Sequence, residues 1–89
     1  MKIKLELFGA SRDFSKKAHL EFNLKEKSSI KDLRNEILNF VENNFKGNNN
    51  YKNLVLSSAY CSEQNNIVGD DYKITKEQSI GIIPPIGGG

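Results

Sequence analysis

The sequence predicts an α+β domain in which a mixed sheet is packed on one main helix. Two short stretches near the start alternate apolar and polar residues with a period of two, as half-buried strands do. A longer stretch after them repeats apolar residues at three- and four-residue steps, as an amphipathic helix does. The chain then closes on Ile80-Gly81-Ile82-Ile83, an apolar run that reads as a strand leaving directly from the core. With 89 residues there is room for one small domain, able to bury about 60–65% of its unfolded surface.

Taken in order, Ile3, Leu5 and Leu7 alternate with Lys2, Lys4 and Glu6 in a first strand. Phe8 falls on the opposite, otherwise polar face, an exposed aromatic of the kind a docking face uses. Residues 9–17 read as a turn with Phe14 as the plug beneath it. Leu20, Phe22 and Leu24 alternate with polar residues in a second strand, close enough to the first for an antiparallel hairpin. The helix starts at Ser28 or Ser29 as N-cap, with Asp32 in the first turn where the helix dipole favours negative charge. Ile30, Leu33, Ile37, Phe40, Val41 and Phe45 form its apolar face, and Gly47 stops it. Residues 47–50 read as a polar loop and residues 54–60 as a third strand. Ile67-Val68 reads as a short edge strand, Ile74 as a return to the core, residues 76–78 as a polar turn and residues 79–83 as the last strand.

Composition narrows the function. A net charge of +2, from 13 basic residues interleaved with 11 acidic ones, lacks the basic stripe of a nucleic-acid binder. Cys61 is the sole cysteine and His19 the sole histidine, which excludes an internal disulfide or a cysteine-based zinc site and removes most metal and general-base constellations. With no apolar leader and no run long enough to span a bilayer, the expected location is cytoplasmic.

The most telling stretch is Pro84-Pro85-Ile86-Gly87-Gly88-Gly89. Three glycines bury nothing and lose the most backbone entropy on ordering. Two prolines before them end strand pairing and favour a stiff extended path. The expected organisation is a domain over residues 1–83 and a flexible tail over 84–89. At about 3.3–3.6 Å per residue the tail reaches roughly 20 Å. It is a thin probe that carries the Gly89 carboxylate into a channel too narrow for side chains.

The ending from Ile82 to Gly89, two large apolar residues, Pro-Pro and a terminal Gly-Gly, resembles that of the ubiquitin-like β-grasp sulfur carriers. The similarity is greatest to the small subunits of molybdopterin synthases. Leu7-Phe8-Gly9-Ala10-Ser11-Arg12-Asp13 and Ser29-Ile30-Lys31-Asp32-Leu33-Arg34 are similar to that family's opening and helix entry. The resemblance implies a β-grasp fold and a carrier cycle. An E1-like adenylating enzyme uses ATP to activate Gly89, and a sulfur donor protein converts it to a covalent thiocarboxylate. The tail, with Gly87 and Gly88 threaded into the large subunit, then delivers sulfur to cyclic pyranopterin monophosphate in molybdenum cofactor biosynthesis. It further implies no bound cofactor or metal, a non-catalytic subunit whose active site lies on the large subunit, a heterotetramer, and a partner interface made by Phe8, Pro84, Pro85 and Ile86.

Some positions differ from the family pattern. Lys76-Glu77-Gln78 replaces a Gly-containing acidic turn. Gly87 stands where Ser is frequent, giving a triple glycine closer to thiamine-pathway carriers. That pathway is one alternative, a ubiquitin-like protein modifier another, and an interaction module with an inert tail a third. The sequence leaves Arg12 and Asp13 open between a surface ion pair and a docking role. It favours an incidental thiol at Cys61 and a solvent-exposed His19.

Overall fold

The computed structural model describes residues 1–85. Strand β1 (Lys2–Leu7) runs into a short 3-10 segment (Gly9–Phe14), and β2 (His19–Asn23) returns antiparallel to β1, with Leu5 opposite Leu20 and Ile3 opposite Phe22. Helix α1 (Ile30–Phe45) follows. A second helix α2 (Asn49–Ser57), strands β3 (Ala59–Cys61) and β4 (Ile67–Val68), and the last strand β5 (Gln78–Ile83) complete the order. The sheet order is β2-β1-β5-β3-β4. The last strand lies at its centre, parallel to β1 and antiparallel to β3.

Helix α1 starts where a capping box forms. The Ser29 side chain accepts from the Asp32 backbone N–H at 3.3 Å, and the Asp32 carboxylate accepts from the Ser29 N–H at 2.9 Å. These bonds hold the Asp32 carboxyl below its ordinary range, the backbone bond contributing most. Two further N–H groups of the first turn are satisfied from the β4–β5 connection, Ile30 by the Tyr72 carbonyl and Lys31 by the Asp70 carbonyl. Arg34, one turn on, grips the Asp70 carboxylate through both nitrogens of its fork. This pairing lowers the Asp70 pKa. The helix ends with Lys46 and Gly47 both at positive φ.

Ile30, Leu33, Ile37 and Val41 are fully buried against Ile3, Leu5, Ile74, Ile80 and Ile82. Phe40 and Phe45, expected on the same face, are partly buried at its edge. Phe14 is indeed a plug, 3% exposed, with its ring against Tyr51 at 5.2 Å and Phe45 at 6.1 Å.

Two expectations are corrected. The third strand does not span residues 54–60, because residues 49–57 are helical and pairing begins only at Ala59. The polar loop is correspondingly shorter, since Asn48 is an N-cap whose side chain accepts from the Tyr51 N–H at 3.2 Å. Burial explains the helix. Val55 is fully buried, Tyr51 and Leu54 pack on the core, and Leu56 stays 58% exposed. That is a three-and-four spacing, and strand alternation would have put Leu54 and Leu56 on one face. Tyr60 then ties α2 to the sheet, its hydroxyl donating to the Val55 carbonyl at 3.2 Å.

Candidate docking face and tail base

The sheet has one covered face and one open face. Alternation sends Leu5 and Leu7 of β1, Ile80 and Ile82 of β5 and Tyr60 of β3 towards α1. Glu6, Ser79, Gly81, Ile83 and Cys61 therefore share the opposite side. Phe8 keeps extended backbone angles, φ −120° and ψ 152°, so it continues the alternation and lands beside Glu6 on the open face. It is 46% exposed.

The Cδ2–Cε2 edge of the Phe8 ring reaches over Gly81 in the middle of β5. A Cβ built at Gly81 would stand 2.9 Å from Phe8 Cε2 and 3.7 Å from Cys61 Cβ. The Gly81 backbone does not occupy the left-handed region, so the requirement is for space and not for an unusual φ. The ring and the bare strand border an open hollow of about 550 Å³ lined by the apolar Phe8, Gly81, Ile83 and Cys61, the neutral polar Ser62, Asn65 and Ser79, and the acidic Glu6 and Glu63.

The prolines face elsewhere. Gly9, at φ +56°, turns the chain out of β1 beside Pro84, whose Cδ would be in ordinary contact, at 3.7 Å, with a Cβ there. Pro84 is buried and Pro85 exposed. Both line a second hollow of about 310 Å³ whose far wall is α2, through Asn50, Asn53, Leu54 and Ser57. Of the residues expected at one partner interface, Phe8 thus lies on the open sheet face, while Pro84 and Pro85 lie at the base of the tail against α2. The structure does not bring them into one hollow. Ile86, Gly87, Gly88 and Gly89 lie outside the described residues.

Sequence reasoning missed the α2 wall and the Gly81 floor. The N-cap Asn48 followed by Tyr51, Leu54, Val55 and Ser58 was the available signal for the first. Glycine inside an apolar strand, two residues after the strand's polar start, was the signal for the second.

Other reactive groups are dispersed. His19 is half-buried on β2 opposite Glu6, and Cys61 is half-buried on β3. Strands β1 and β5 separate them, about 14 Å at the usual strand spacing. Arg12 and Asp13 are exposed and form no ion pair with each other among the described residues. Among those residues no three His, Cys, Asp or Glu side chains converge as a metal site, and no helix is long and apolar enough to cross a membrane. Tyr60 is pushed up to about 12 by burial, and the Arg34 guanidinium, 5.5 Å from its ring centroid, partly opposes the shift. It buttresses the covered face and does not reach the open one. What this arrangement offers is a surface with one prominent aromatic, and a central strand that runs into Pro84-Pro85.

The fold is a ubiquitin-like β-grasp, a five-stranded mixed sheet on a main helix. Among solved structures it is similar to a Pyrococcus furiosus protein assigned as molybdopterin converting factor, subunit 1. The TM-score is 0.69 at 19% identity, over 96% of this chain and 98% of that one. It is also similar to SAMP1 from Haloferax volcanii, with a TM-score of 0.71 at 11% identity over the full length of both. No family model matches the chain, and no curated protein matches it in sequence.

Proposed function

We propose that this chain is the sulfur carrier subunit of a molybdopterin synthase. The observation that carries the reading is the course of the central strand. β5 passes through Ile82 and Ile83 straight into Pro84-Pro85, after which the sequence continues Ile86-Gly87-Gly88-Gly89. The full-length likeness to a converting-factor subunit supports it.

In the proposed cycle the Gly89 carboxylate attacks the α-phosphate of ATP on an E1-like enzyme and releases pyrophosphate. A carboxylate is a poor acyl donor, and adenylation supplies the leaving group it lacks. The terminal sulfur of a persulfide on the sulfur donor protein then attacks the acyl carbon and displaces AMP. A second thiol of the donor cleaves the resulting acyl disulfide, which leaves the thiocarboxylate on Gly89 and a disulfide on the donor. Docked on the large subunit, within a heterotetramer and in the cytoplasm, the tail passes its sulfur to cyclic pyranopterin monophosphate as the dithiolene is built. The sulfur bonds to a substrate carbon, and water cleaves the acyl–sulfur bond and returns Gly89 to the carboxylate. Gly87 and Gly88 leave the reacting carbon open to attack inside a closed channel. The bases and oxyanion donors belong to the partner, so this subunit carries and does not catalyse. Gly87, which completes a triple glycine, favours a thiamine-pathway carrier as second reading. Lysine adducts dependent on Gly89 would favour a protein modifier.

The test is tail geometry. Gly88→Ala leaves the fold alone but overpacks the channel, at a cost of about 1–3 kcal/mol. Adenylation or sulfur delivery falls roughly five- to 150-fold. One residue added after Gly89 moves the carbonyl by about 3.5 Å and is worse. Rates for both variants are measured with melting temperature as the fold control. Wild-type rates in two folded variants would sink the reading.

A further inference from the structure

The hollow over Gly81 has a polarity that an apolar docking patch does not require. Phe8, Gly81, Ile83 and Cys61 give it apolar surface, Ser62, Asn65 and Ser79 neutral polar groups, and its two charged lining residues are both acidic, Glu6 and Glu63, with no lysine or arginine among them. This local excess of negative charge sits on a chain whose net charge is +2. Neither carboxylate is firmly held. Lys76 reaches Glu63 only at 3.8 Å with both side chains exposed, and Glu6 forms no ion pair among the described residues. The one titratable group facing Glu6 across the strands is His19 on β2, and Lys4 and, past the strand end, Arg12 line with it an adjoining hollow on the other side of Glu6 and Phe8, which border both. The floor exists only because residue 81 has no side chain, although glycine is an unfavourable choice inside a strand.

We propose that this hollow receives a basic side chain, arginine in preference to lysine, from the protein that docks on the open sheet face. That this protein is the synthase large subunit rests on the functional reading above. The guanidinium plane lies against the Phe8 ring, whose Cδ2–Cε2 edge Gly81 lets approach the sheet, and donates to the Glu6 and Glu63 carboxylates. A planar, weakly hydrated cation gains from both contacts, whereas an ammonium gains mainly from the charge.

Two measurements test it. In the first, the isotope-labelled protein is titrated with N-acetyl-arginine amide, with N-acetyl-leucine amide as control, and amide shifts are followed by NMR. Saturable arginine-dependent shifts at Glu6, Phe8, Gly81 and Glu63 are expected, lost in Glu6→Gln/Glu63→Gln and reduced in Gly81→Ala. Shifts scattered over the surface, or equal in the charge-neutralised variant, overturn the proposal. In the second, Glu6→Gln/Glu63→Gln binds the large subunit about tenfold more weakly, with a shallower salt dependence. Unchanged affinity and salt dependence overturn it. Sulfur transfer by the wild type is read in parallel. An arginine site on a protein that carries no sulfur would refute the carrier reading alone. Sulfur transfer with an indifferent double variant would refute the hollow alone.

Discussion

On the helix side of the sheet Ile3, Leu5, Ile80 and Ile82 are fully buried, and Leu7 and Tyr60 nearly so. On the other side Phe8 keeps 46% of its surface and Ile67 64%. The same strands supply both faces, so the difference lies in what covers them. Helix α1 closes the first face and satisfies it. The second is left with an aromatic ring resting on a glycine, which the core does not need. The covered face explains why the chain folds, and the open face is where an explanation of its use has to start.

Substitutions on opposite faces of one strand give the sharpest contrast. Leu5→Ala opens a cavity in a fully buried site and is expected to cost about 2–5 kcal/mol of stability. Phe8→Ala, three residues on, is expected to cost about 1 kcal/mol or less of stability, but about 2 kcal/mol or more of partner affinity. Thermal melting alongside binding titration separates the two. A Phe8→Ala variant that melts early and binds normally would show that the ring belongs to the core.

The two faces differ in legibility as well. Period two placed Ile3, Leu5 and Leu7 inside, and a sixteen-residue helix with a capping serine was long enough to declare itself. Helix α2 was not. It has nine residues, its first turn is written Asn49-Asn50 like a loop, and Leu54-Val55-Leu56 has strand character when read locally. What corrects that reading is tertiary, namely the burial of Val55 beneath Tyr60. The open face was half legible: Phe8 was visible as an apolar residue on a polar side, but the hollow depends on the missing side chain of Gly81. A glycine in a strand announces nothing until the ring above it is located.

A smaller effect, whose pH dependence appears only away from neutrality, concerns the ion pair, capping box and tyrosine that support the covered face. Asp32 and Asp70 have depressed pKa values in the fold, through the Ser29 bonds and the Arg34 pair respectively. The stability they contribute is present above the ordinary carboxylate range and fades as pH falls through the depressed values. Tyr60 acts at the other end. Its folded pKa lies above the unfolded one, so its contribution is complete below about pH 10 and is lost as pH rises towards about 12. Denaturation followed against pH should show both limbs. Asp70→Asn should flatten the acid limb and Tyr60→Phe the alkaline one, with partner binding unchanged at neutral pH. A change in partner binding by either variant would break the separation between faces.

The carrier claim itself is tested most directly by the intact mass of the protein after incubation with ATP, an E1-like adenylating enzyme and a sulfur donor. The account predicts exchange of one oxygen for sulfur, located at Gly89 by fragmentation, retained in Cys61→Ser and lost when Gly88-Gly89 is removed. An unchanged mass under conditions that convert a known carrier, or sulfur found on Cys61 instead, would contradict it.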